Sequence, residues 1–268
     1  MSFTILLKEI NRNYKEFLII SLSLSFFIAI SMTIYSSMKD NMFMIMDLYD
    51  NIPESIQRAL NFDKDQWSTI LGFYSTYFIY YVPMMSGIYS IYIGSKVISQ
   101  EEQNKTAEFL LTRPVSRDNV IYNKLMLIIL LICGINMILY LTGLISCGLI
   151  SGWEVNINSL TVMHLYGLFV CLFFGIIGFF ISIMMKRAKF IMGVSVGIVM
   201  GCYIIYILLK ITIKAQFLTY ITPFKYIDIE VIKADYGLEA WRILVIGLAS
   251  AILIYLSFFF YRKKDILI

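Results

Sequence analysis

The residues of this sequence best suited to chemistry are its single histidine, His164, and four cysteines, Cys133, Cys147, Cys171 and Cys202. An imidazole can relay a proton or ligate a metal, and a thiolate can attack or ligate. Either job needs partners at set spacings. The cysteines form no CxxC pair, no HExxH or GxSxG motif occurs, and the apolar stretch that holds His164 contains no carboxylate. His164 therefore reads as an interfacial or packing residue rather than a relay, and the cysteines as small buried hydrophobes. No metal ligand set is expected. Gly94-Ser95-Lys96 ends like a phosphate loop but lacks the upstream glycine of GxxxxGK[ST]. The chain is thus not expected to hold a nucleotide or to be an enzyme by itself.

The one informative hydrophilic stretch is 96–124, KVISQEEQNKTAEFLLTRPVSRDNVIYNK. Ser99 with Glu102 has capping-box spacing, so a short helix either begins there or continues from upstream. Ala107, Leu110 and Leu111 follow on one helical face, flanked by Glu101, Glu108 and Arg113. Pro114 stops that helix, and Ser116 with Asp118 is suited to start the next. The product is an exposed ridge of apolar and charged residues, sized for a groove on another protein.

The elements that hold this loop are set by composition. Of 268 residues, 59% are apolar and only 15% charged, against about 25% charged in ordinary soluble domains. Mean hydropathy is +0.78, which excludes a soluble enzyme, a nucleic-acid binder and a disordered chain. A spanning helix needs about 20 apolar residues. Six segments free of Asp, Glu, Lys and Arg meet that need: 17–36, 69–95, 125–150, 160–185, 190–209 and 243–261. The reading is an all-α integral membrane protein, a single domain over 1–268 with six transmembrane helices. Lys and Arg number 14 in the segments on one side and 8 on the other, which includes the 210–242 outer loop. The excess places both termini in the cytoplasm. Trp67, Trp153 and Trp241 all fall at outer ends of spans, where indoles anchor.

Residues 3–17 carry Phe3, Leu6, Leu7, Ile10, Tyr14 and Phe17 at helical spacing, with Lys8, Arg12 and Lys15 between them. An amphipathic interfacial helix over 2–16 is expected before the first span turns inward, the alternative being simple extension of the first span into the cytosol. Gly193, Gly197 and Gly201 recur every four residues, a stripe that packs an internal helix pair or forms a subunit interface. Tyr74, Tyr77 and Tyr81, beside the kink expected at Pro83, either line a substrate path or pack as plain aromatics. Segments 53–60 and 223–236 are suited to short re-entrant or surface helices on the outer side.

At the 96–124 loop the sequence resembles the permease subunits of type-2 ABC exporters. Those carry an acidic residue, Gly-Thr-x-Glu, a leucine pair and Pro-x-Ser-Arg between their second and third spans. The matching residues are Glu101, Thr106, Glu108, Leu110, Leu111, Pro114, Ser116 and Arg117, with Lys124 at the family's basic position and Lys105 where many members have glycine. Pro223, Phe224 and Tyr226 match a Pro-Phe-x-Tyr element after the fifth span. The resemblance implies a cytosolic coupling helix docked on a separate nucleotide-binding ATPase subunit, which would hold ATP and Mg. It also implies a second permease chain, identical or related, and a hydrophobic or amphipathic substrate such as a peptide, antibiotic or lipid-like molecule. Residue usage and family together point to a bacterial plasma membrane. The competing readings are a self-contained secondary carrier or channel, and a membrane sensor or immunity scaffold. The carrier or channel would explain six spans but not the loop, and would leave its ion without ligands.

Overall fold

The computed structural model describes residues 3–41, 52–59, 64–103, 117–185, 188–211, 220–227, 230–231, 233 and 236–263. Among the described residues all regular structure is helical. The helices are α1 (Phe3–Met38), α2 (Glu54–Ala59), α3 (Lys64–Trp67), α4 (Ile70–Gln103), α5 (Arg117–Ser151), α6 (Ile157–Met184), α7 (Ala188–Ile211) and α8 (Ala240–Lys263). Short 3-10 turns occupy Lys39–Asn41 and Pro223–Tyr226. Five segments are long and apolar enough to cross a membrane: Leu6–Met38, Asp118–Ser151, Ile157–Met184, Phe190–Ile211 and Ala240–Lys263. Six were expected. The sixth, 69–95, falls in α4, which is as long as the others but rich in tyrosine and serine.

The amphipathic N-terminal segment is not a separate helix. Residues 3–38 contain neither proline nor glycine, so nothing breaks the backbone ladder, and α1 runs unbroken for 36 residues. The buried face also differs from the expected apolar one. Leu6, Glu9 and Asn13 are buried, while Leu7 and Tyr14 are exposed. Arg12 donates to Glu9 at 2.5 Å, and the Asn13 amide donates to the Glu9 carbonyl, so the polar groups on this face are partly satisfied by the helix itself.

Pairings across the bundle fix directions. Tyr35 meets Phe73, Phe27 meets Tyr81 and Glu16 meets Lys96, so α1 and α4 are antiparallel. Tyr74 meets His164, Ser86 meets Cys171 and Gly94 meets Gly175, so α4 and α6 run parallel. α1 is parallel to α5 through Phe17 against Gly134 and Ser25 against Thr142. α6 is parallel to α8 through Tyr166 with Arg242 and Phe180 with Phe260. α7 is antiparallel to α4 through Val199 with Gly87 and Lys210 with Tyr80, so helices at odd and even positions among the six long ones point opposite ways.

The tightest crossing joins α4 to α6. A Cβ on Gly94 would strike the carbonyl oxygen of Gly175, and one on Gly178 would strike the carbonyl oxygen of Ile91. Backbones this close are what small residues permit. Ser86, Ser90, Ser95 and Ser99 are all buried along α4, and each donates to a carbonyl one turn back, so none needs water. Pro83 sits inside α4 without ending it.

The link from α5 to α6 is five residues, 152–156. Gly152 and Trp153 both take positive φ, 67° and 72°, and the Trp153 amide donates to the Gly148 carbonyl at 2.9 Å. The Trp153 ring lies against Gly148, where a Cβ would meet it at 2.6 Å. Asn156 then caps α6 by accepting from the Ser159 amide at 3.2 Å. All three tryptophans stand at the same end of the bundle, opposite the Glu16–Lys96 contact.

Candidate functional site

The 96–124 stretch leaves from the end of α4 and re-enters at the start of α5. Thr106, Glu108, Leu110, Leu111 and Pro114 lie outside the described residues. Glu101 falls in the last turn of α4, and Arg117 opens α5. Ser99 does not cap a new helix. It sits inside α4 and donates to the Ser95 carbonyl at 2.7 Å, so the continuing-helix alternative holds.

Around the exits of this loop, charged side chains tie helix to helix. Lys96 on α4 donates to both Glu16 carboxylate oxygens on α1, at 2.7 and 2.6 Å, and the Tyr92 hydroxyl donates to the same carboxylate at 3.4 Å. Lys124 on α5 is 1% exposed and donates from Nζ to the Val97 carbonyl of α4 at 2.5 Å. A cation buried in this way must be hydrogen-bonded, and a helix carbonyl supplies the partial negative charge. Arg262 at the end of α8 makes a two-pronged pair with Asp118 on the first turn of α5, at 2.8 and 2.9 Å. The ends of α1, α4, α5 and α8 are thereby linked where the loop leaves and re-enters. Lys124 was picked out from its place in the motif; the Glu16–Lys96 pair was not, because the two residues are 80 positions apart with no pattern to join them.

The tyrosine row of α4 does not face one lumen. Tyr74 is 2% exposed, and its hydroxyl meets His164 Nε2 at 2.9 Å. Phe78 and Tyr140 also pack on the imidazole, at 4.6 and 5.4 Å between ring centres. Gly143 leaves the room that Tyr74 and His164 occupy. His164 is thus a buried packing residue that joins α4, α5 and α6, and its Nδ1 makes no hydrogen bond. Tyr77 and Tyr81 turn away into an aromatic ladder with Phe73 and Phe27. Pro83 is buried.

Gly193, Gly197 and Gly201 present an open face on α7. A Cβ at any of the three would meet nothing within 4 Å. Close packing inside the chain falls instead to Gly94, Gly175 and Gly178, which the spacing argument passed over because they lie on two different helices.

The Pro223–Tyr226 turn dips back into the bundle. Phe224 is fully buried against Phe174 of α6 and against Tyr203 and Tyr206 of α7. The Thr222 hydroxyl donates to the Cys202 carbonyl at 2.9 Å, and Tyr226 donates to the Tyr220 carbonyl at 3.1 Å. Burial pushes the Tyr226 phenol above its ordinary range. Among the described residues, no group of histidine, cysteine, aspartate or glutamate is placed to hold a metal ion.

No curated protein matches the chain. A family model described as ABC-2 family transporter protein matches residues 3–266, nearly the whole chain. With its apolar helices, that match makes the chain a membrane permease component of an ABC transporter, not itself catalytic, and it belongs to the ABC-2 transporter family.

Proposed function

We propose that this chain is the permease subunit of an ATP-driven exporter, moved by a separate ATPase that docks on the 96–124 loop. The observation that carries the reading is the pair of lysine anchors at the loop's base, Lys96 on Glu16 and Lys124 on the Val97 carbonyl. A push on a ridge so anchored is passed to α1, α4 and α5 together instead of being lost in a loose hairpin. Lacking a phosphate loop of its own, the chain takes its energy from ATP and Mg in the partner.

On this reading α4 is the second of six spans. It lies beside α6 from Tyr74 to Gly94, so it shares the depth of a helix that is itself apolar enough to cross. Basic residues gather at the end that holds Glu16 and Lys96, which supports a cytoplasmic side for both termini and the loop, in what we take to be a bacterial plasma membrane. A second permease chain, identical or related, would cover the open glycine face of α7. The substrate is hydrophobic or amphipathic, in keeping with six apolar segments free of Asp, Glu, Lys and Arg.

The test is a mild-detergent pull-down of the tagged full chain from its native membrane, with ATP hydrolysis measured on what is recovered. A nucleotide-binding subunit that co-purifies, and that Glu108→Ala or Leu111→Ala releases, is the expected result. A lone chain that still moves substrate without ATP would establish a self-contained carrier and overturn the reading.

A further inference from the structure

A cavity of about 690 Å³ opens at the tryptophan end of the bundle. Its wall takes Lys39 from the end of α1, Thr69 and Leu71 from the start of α4, Ser151 from the end of α5, Glu154 from the turn before α6, and Lys233. The volume falls in the range of about 300–1,000 Å³ typical of small-molecule sites.

The chemistry of the wall is specific in kind. Two ammonium groups, Lys39 and Lys233, share it with one carboxylate, Glu154, so it offers partners to both signs of charge. Lys233 pairs with Glu230, but both side chains are at least half exposed, and such a pair is weak enough to exchange for a ligand anion. Ser151 lines the same wall. Leu71 adds an apolar contact. Trp153 stands next in sequence to Glu154, and tryptophans favour the level of lipid headgroups.

We propose that this cavity binds the zwitterionic headgroup of an amphiphile. Its phosphate or carboxylate pairs with Lys39 and Lys233, and its ammonium pairs with Glu154. The assignment deepens the transport reading above and rests on it only for the side of the membrane that the cavity faces. A bilayer lipid and a transported amphiphile can present this same chemistry.

The test uses the full chain in uncharged maltoside micelles, with Trp67→Phe and Trp241→Phe so that Trp153 alone reports by fluorescence. The probes are dihexanoyl phosphatidylethanolamine, dihexanoyl phosphatidylglycerol and tail-free phosphoethanolamine. Saturable binding of the ethanolamine lipid is expected. Glu154→Gln should weaken it about tenfold, and so should the double change Lys39→Gln with Lys233→Gln. Ser151→Leu, which fills the cavity from the end of a helix, should also lower the affinity while the protein stays monodisperse. Equal binding of tail-free phosphoethanolamine supports the site with a soluble zwitterion as occupant, and preference for the lipid supports it with a membrane amphiphile. No saturable binding overturns the proposal, as does equal binding of the glycerol lipid that Glu154→Gln leaves untouched. No ATPase takes part in this assay, so it stands or falls apart from the pull-down.

Discussion

Gly178→Ala tests the crossing on which the bundle is centred. The new methyl would strike the Ile91 carbonyl oxygen and lie 3.0 Å from both the Ile91 carbonyl carbon and the Ser95 amide nitrogen. All three are backbone atoms of α4, so no side-chain rotation relieves the clash. Carbon contacts settle at about 3.5–4 Å, so α4 and α6 must part, and the neighbouring Gly94 contact with Gly175 loosens with them. Overpacking costs about 1–3 kcal/mol, and the better helix propensity of alanine returns about 1 kcal/mol. Gly197→Ala supplies the contrast, since its methyl meets nothing within 4 Å and only the propensity gain applies. The propensity gain is common to both, so the two variants should differ by the overpacking cost of about 1–3 kcal/mol, a separation of roughly 2–12 °C in Tm. Thermal unfolding of the purified chain in detergent, followed by tryptophan fluorescence, reads the difference. Equal midpoints for the two variants would refute the backbone contact.

Two further outcomes follow from the polar contacts. Tyr74→Phe removes the only hydrogen bond shown for His164 and leaves both ring nitrogens of a buried imidazole unmet; a loss of about 1–3 kcal/mol is expected. A wild-type Tm would mean that water or another group satisfies the ring. A double-mutant cycle of Glu16→Gln with Lys96→Met should return a coupling of about 1 kcal/mol, the upper end for such pairs, because Lys96 is only 16% exposed and bonds both oxygens. A coupling indistinguishable from zero in thermal unfolding would remove the anchor from the mechanism.

Much of the helix layout was legible because hydrocarbon length and the absence of charge are properties of contiguous residues. What failed to show was anything set by pairing between distant segments. Residues 3–17 have an apolar stripe that suits a membrane surface, yet α1 continues through them and buries Glu9 and Asn13, since the face a helix buries is chosen by its neighbours. The glycine stripe at 193, 197 and 201 was visible in one helix, but whether a glycine is in contact depends on the second helix. The close approach of α4 to α6 needs Gly94 from one and Gly175 and Gly178 from the other, and no single-segment pattern contains it. Tyr74, Tyr77 and Tyr81 share a helical face by spacing, and still Tyr74 turns to His164 while the other two join Phe73 and Phe27.

The placement of α4 explains why the long helix that falls short of the apolarity of a lipid-facing span carries the loop. A helix with buried hydroxyls at Ser75, Thr76, Ser86, Ser90, Ser95 and Ser99 is a poor choice to face lipid, where each unsatisfied group is costly. Surrounded by α1, α5, α6 and α7, it bonds those hydroxyls to its own carbonyls and to Cys171, and it can keep glycine at its closest contact. The same surround makes it a lever. Its far end meets Tyr35 and His164, and its near end is fixed by Lys96 to α1 and by Lys124 to α5. A displacement applied beyond Gln103 therefore acts on four neighbours at once. A peripheral helix such as α8, whose apolar side chains Leu244, Leu248, Ile252 and Tyr255 lie exposed, would pass the same displacement mainly into lipid.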